Sequence, residues 1–98
     1  MEPKLVRAHI IVRGIVQGVY FRATTADVAR AERVCGWVRN RPDGAVEAVL
    51  EGAIDDVERV ISWCRKGPPM ARVEDVDVLW EEYTGEFHGF KTITRHTI

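Results

Sequence analysis

Leu5-Val6-Arg7-Ala8-His9-Ile10-Ile11-Val12-Arg13, running straight into Gly14-Ile15-Val16-Gln17-Gly18-Val19-Tyr20-Phe21-Arg22, is the stretch that orders the rest of this 98-residue chain. Val6, Ala8, Ile10 and Val12 fall on one face, with Arg7, His9, Ile11 and Arg13 on the other. That period of two predicts a half-buried strand. Gly14 to Gly18 reads as a loop, and a helix is expected to start near Phe21. Its inner stripe is predicted as Phe21, Thr25, Val28 and Ala29, with Arg30 and Arg33 outside. A glycine-bracketed turn between strand and helix leaves backbone N–H groups unpaired near a positive helix end. Such a concavity suits an anion, phosphate above all. Arg22 adds a planar fork of donors that fits two phosphate oxygens at once.

Downstream, Gly36–Asn40 and Ala45–Glu51 read as strands joined by the turn Arg41-Pro42-Asp43-Gly44, which makes a hairpin. Asp55 is expected to cap a second helix, with Glu58 as its reciprocal partner. Val57, Val60, Ile61 and Cys64 form that helix's apolar stripe, and Gly67-Pro68-Pro69 stops it. Val76, Val78 and Trp80 alternate with Asp75, Asp77, Leu79 and Glu81 in a fourth strand, and Phe90–Thr94 is a short last one. The order β-α-β-β-α-β plus a terminal strand predicts an α+β, ferredoxin-like sandwich. Two helices would cover one face of a mostly antiparallel sheet. Nothing resembling a linker or repeat divides residues 1–98, so one domain is expected.

Fourteen Lys+Arg against fifteen Asp+Glu give a formal net charge of −1, which argues against nucleic acid as a partner. No apolar run approaches the ~20 residues a membrane span needs. The opening Met1-Glu2-Pro3-Lys4-Leu5 lacks the apolar stretch of a secretion signal, so a cytoplasmic location is expected. Cys35 and Cys64 fall near the ends of the two predicted helices, too far apart to bridge, and read as free thiols in apolar surroundings. His9, His88 and His96 are scattered without metal-ligand spacing, and no metal is expected. His9 reads as an outer-face strand residue. Nucleotide-binding glycine motifs and a serine nucleophile elbow are absent. The chain holds a single Asn, Asn40, and a single Gln, Gln17, while arginine outnumbers lysine eleven to three. Scarce amides fit heat adaptation or mere base composition; retention at those two places suggests a role there.

Gly14-Ile15-Val16-Gln17-Gly18-Val19-Tyr20-Phe21-Arg22 matches a signature of the acylphosphatases, Gly-x-Val-Gln-Gly-Val-x-Phe-Arg. Gly36-Trp37-Val38-Arg39-Asn40 followed by Asp43-Gly44 resembles their second signature. Gly67-Pro68-Pro69-Met70-Ala71-Arg72-Val73 and the closing Phe90-Lys91-Thr92-Ile93 extend the resemblance over nearly the whole chain. It implies hydrolysis of small acyl phosphates by a cytoplasmic monomer without cofactor or metal. Arg22 and Asn40 would be the catalytic residues. Gln17, Gly18, Val19, Tyr20 and Phe21 would bind substrate through their backbone N–H groups, with Arg22 gripping the same phosphate. Asn40 would orient the attacking water. Arg39 and Arg41 flank it and would add only positive potential. One departure concerns the first helix, which in the family often ends Leu-Gly-Leu but here reads Glu32-Arg33-Val34. A left-handed C-cap at Arg33 would be strained.

Two other readings compete. Acylphosphatase-like domains also open large carbamoyl-transferring maturation proteins for hydrogenases, where the cradle is a binding module. Small ferredoxin-like RNA binders stack bases on sheet-face aromatics, but the face with Arg7, His9, Arg13 and Asp75 shows no matching aromatic pair.

Overall fold

A computed structural model describes residues 2–94. Strand β1 (Leu5–Ile15) leads to helix α1 (Phe21–Ala31), the hairpin β2 (Cys35–Asn40) and β3 (Val46–Ala53), helix α2 (Ile54–Lys66), strand β4 (Arg72–Glu81) and strand β5 (Phe90–Ile93). The five strands form one sheet in the order β4-β1-β3-β2-β5. All neighbours pair antiparallel except β5, which lies parallel to β2 at the edge. This is the expected ferredoxin-like arrangement with its extra strand. Val6, Ala8, Ile10 and Val12 of β1 meet Val46, Ala48 and Leu50 of β3 on the inner face. Phe21, Thr25, Ala26 and Ala29 of α1, and Val57, Val60, Ile61 and Cys64 of α2, close over them. No helix among the described residues is long and apolar enough to cross a membrane.

The boundaries differ from expectation in instructive ways. β1 does not end at Arg13, because β4 begins at Arg72 and supplies partners for Gly14 and Ile15. The register shifts between Arg13 and Gly14, a bulge at which Gly14 adopts φ 129°. A Cβ there would sit 2.1 Å from the Arg72 carbonyl oxygen, so only glycine fits. In α1, Val28 is only partly buried, and Ala26 takes the inward place instead. Asp55 does not cap α2: the cap position falls two residues earlier, at Ala53, and the Ile54 N–H donates to the Lys4 carbonyl at 2.9 Å. Asp55 and Asp56 lie instead within the first turn, complementing its positive end. β3 starts and ends later than predicted, and β5 stops at Ile93. His96 lies outside the described residues.

The second face of β3 is also covered. Glu47, Val49 and Glu51 are all buried. Because β4 and β5 stand at opposite edges of the sheet, residues 82–89 must travel from one edge to the other. On the way they dock on Glu51, whose carboxylate accepts from the Thr84 N–H and hydroxyl (2.9 Å each) and the Gly85 N–H (3.1 Å). Arg7 adds a contact to Glu51 at 3.4 Å and pairs with Glu81 and Glu86 at 2.9 Å each, its guanidinium stacked over Phe87. Cys35 and Cys64 are both free thiols. Cys64 is fully buried, and that burial pushes its thiol up to about 12.

Candidate functional site

The segment between β1 and α1 turns on two left-handed residues, Gly18 (φ 76°) and Tyr20 (φ 64°). Gly18 adopts this conformation without strain, whereas Tyr20 pays a steric cost in doing so. Tyr20 is the residue from which α1 starts, and its carbonyl accepts from the Thr24 N–H (3.1 Å) and hydroxyl (2.8 Å). With that oxygen drawn into the first helical turn, the chain enters α1 at a set angle. Among the described residues, the N–H groups of Gln17, Gly18, Val19 and Tyr20 donate to no protein acceptor outside regular elements. The helix adds the unpaired donors of its first turn and the positive end of its dipole.

Beside this loop opens a cleft of about 320 Å³ lined by Val16, Gly18, Tyr20, Phe21, Arg22, Ala23, Asn40 and Thr92. Arg22, the second residue of α1, is half-buried, and its Nη1 donates to the Ile93 carbonyl of β5 at 3.2 Å. That bond uses one of five donors and leaves the fork for an anion. Arg22 has no carboxylate partner among the described residues, so its charge is not spent within the fold. Asn40 ends β2, paired with Val46 across the hairpin, and brings an uncharged amide to the lining of the same cleft.

Five of the seven residues expected from sequence thus share one cleft: Gly18, Tyr20, Phe21, Arg22 and Asn40. Gln17 and Val19 do not line it. Val19 is buried in the core. Gln17 turns its side chain toward the hairpin, where its amide nitrogen donates to the Arg41 carbonyl at 2.7 Å and the Ala45 carbonyl at 2.9 Å. Val16, Ala23 and Thr92 are additional lining residues. Thr92 arrives on a strand whose parallel pairing to β2 leaves no local trace in sequence.

The flanking arginines have other partners. Arg39 is held by Glu47 at 2.7 Å on the outer face, where Glu47 also accepts from His9 Nε2 at 2.5 Å. Burial pushes the Glu47 carboxyl up, but the hydrogen bonds from His9 and Arg39 outweigh it and hold the group below its ordinary range. Arg41 pairs with Asp43 at 3.0 Å within the turn. Both positive charges are largely answered locally, which leaves Arg22 as the cation of the cleft. Among the described residues, no group of three or more His, Cys, Asp or Glu side chains is placed to hold a metal ion.

The family model for acylphosphatase matches residues 8–92. An acylphosphatase of Pyrobaculum calidifontis is 63% identical over 93 residues, covering 94% of this chain and 84% of the relative. One from Pelotomaculum thermopropionicum is 58% identical over 85 residues, covering 87% and 92% respectively. Among solved structures, the crystal structure of acylphosphatase from Bacillus subtilis superposes with a TM-score of 0.87 at 33% identity, covering 90% of this chain and 98% of that one.

Proposed function

This chain belongs to the acylphosphatase family and is a hydrolase of acyl phosphates, and from that premise we propose how its own residues do the work. Arg22 and the backbone N–H groups of Gln17, Gly18, Val19, Tyr20 and Phe21 bind the phosphate. Asn40 orients a water in line with the bond to the leaving carboxylate. The observation that carries this reading is the single cleft shared by Gly18, Tyr20, Phe21, Arg22 and Asn40.

A carboxylate leaves with little help from an acid, so positioning and charge stabilisation account for the acceleration. A carboxamide cannot take a proton from water, and a phosphate oxygen of the substrate takes it instead. Oxygen from water bonds to phosphorus as the bond from phosphorus to the acyl oxygen breaks. Carboxylate and inorganic phosphate result, with no covalent enzyme intermediate and no call on a metal or cofactor. Small acyl phosphates (acetyl, carbamoyl and aryl-acyl) are the substrate class. The 98 residues act as one domain and as a monomer. Two free thiols suit the reducing cytoplasm.

Release of phosphate from benzoyl phosphate in excess EDTA tests the scheme. Asn40→Ala is expected to lower kcat by ~100-fold or more, the scale of a lost transition-state donor. Arg22→Ala is expected chiefly to raise KM, charge-assisted bonds being worth ~1.5–3 kcal/mol each. Full turnover in Asn40→Ala would remove Asn40 from the mechanism.

A further inference from the structure

Loop and hairpin hold the two halves of the proposed machinery, yet little connects them. The β1–β3 ladder ends at Val12 and Val46. Past that point the bulge at Gly14 carries the chain along β4 instead. Among the described residues, the only hydrogen bonds joining residues 16–20 to the hairpin are the two that Gln17 donates. Their acceptors are the carbonyls that close the turn after Asn40. Arg41 O also receives the Gly44 N–H at 3.1 Å, and Ala45 O also receives the Arg41 N–H at 2.8 Å. One side-chain nitrogen therefore spans the mouth of the hairpin, next in sequence to the asparagine that faces the cleft.

We propose that Gln17 is a positioning residue whose side-chain amide clasps the phosphate loop to the Asn40 turn and thereby sets the line of attack on phosphorus. This rests on the roles given above to the loop and to Asn40. Two acceptors converging on one atom require a nitrogen with two hydrogens at that reach. Glutamine meets the requirement. Leucine supplies no donor, and ionised glutamate supplies only acceptors facing two carbonyls. Asparagine is a methylene too short. If the clasp is cut, the phosphate is still gripped by Arg22 and the loop amides, but the water is misaligned with it. The loss therefore belongs in kcat rather than KM.

The test is steady-state hydrolysis of benzoyl phosphate by Gln17→Leu, Gln17→Glu, Asn40→Ala and the Gln17→Leu/Asn40→Ala double variant. Gln17→Leu is expected to lower kcat by ~10-fold or more with KM changed by less than ~3-fold. Added to Asn40→Ala, it is expected to bring almost no further loss, because both changes remove the same alignment. Gln17→Glu guards against a merely misfolded leucine variant. Its activity relative to the unsubstituted enzyme should rise as pH falls from about 8 to about 5, since a protonated carboxyl restores one O–H donor. A loss confined to KM, a Gln17→Leu penalty undiminished beside Asn40→Ala, or a pH-independent Gln17→Glu ratio would each overturn the clasp. Full activity in Asn40→Ala sinks the underlying mechanism. Unchanged kcat in Gln17→Leu beside a slow Asn40→Ala sinks the clasp alone.

Discussion

Arg22 stands at the second position of α1 with a guanidinium that no carboxylate neutralises among the described residues. Its planar fork is also tied to the Ile93 carbonyl, so its aim depends on geometry as well as charge. Arg22→Lys keeps the charge but loses the fork, and KM should rise by ~10-fold or more, as when a charge-assisted bond is lost. Titration of phosphate binding by calorimetry would show the same weakening without any turnover. Arg22 and Asn40 were singled out in the sequence by the resemblance of their local runs to the two signatures, and both line one cleft. Thr92 was not, since nothing in Phe90-Lys91-Thr92-Ile93 says which edge that segment joins. Nor was the engagement of the Gln17 side chain, because its acceptors are carbonyls that any residue carries.

At the end of α1 the chain leaves the helix through Arg33, which adopts φ 61°. The Arg33 N–H donates to Arg30 O at 3.1 Å and the Val34 N–H to Ala29 O at 2.8 Å, the paired bonds of a Schellman cap. Glycine normally occupies that place, and the strain expected from the sequence is present. Arg33→Gly should stabilise the fold by about 0.5–1 kcal/mol, the relief of the left-handed penalty less glycine's extra freedom when unfolded. Chemical denaturation midpoints would register it. Gly14→Ala at the bulge should act in the opposite sense by more than about 2 kcal/mol, because the added methyl meets backbone that cannot yield. Periodicity marked β1, β4 and the stripe on α2, whereas the hairpin was read from its turn and the α1 stripe took Val28 where Ala26 is buried. Element ends were harder, because partners set them: β4 prolongs β1, and α2 starts two residues early, at the Ile54 N–H that donates to Lys4 O.

For the molecule as a whole, the sheet is sealed on both sides at its centre. One side is the helix-covered core and the other is the polar strap of residues 82–89 resting on Glu51. That second layer was illegible, since a polar stretch with two glycines reads as an exposed connection and its landing point lies far back in the chain. Burial pushes the Glu51 carboxyl up, but donors from Thr84, Gly85 and Arg7 prevail and hold it below its ordinary 4.5. Glu47 is lowered likewise. A depressed carboxylate contributes stability that is fully present above the unfolded value and lost as pH falls through the folded one. Stability should therefore decline below about pH 4.5, and Glu51→Gln should flatten that acid limb while costing about 1–3 kcal/mol at neutral pH. Urea midpoints measured across the acid range would check both. The same strap returns β5 to the far edge, where Thr92 walls the cleft and Ile93 holds Arg22. Those residues leave the ribosome after all but one of the others described. Any nascent or truncated chain that stops short of β5 therefore carries the phosphate loop without the Thr92 side of its cleft.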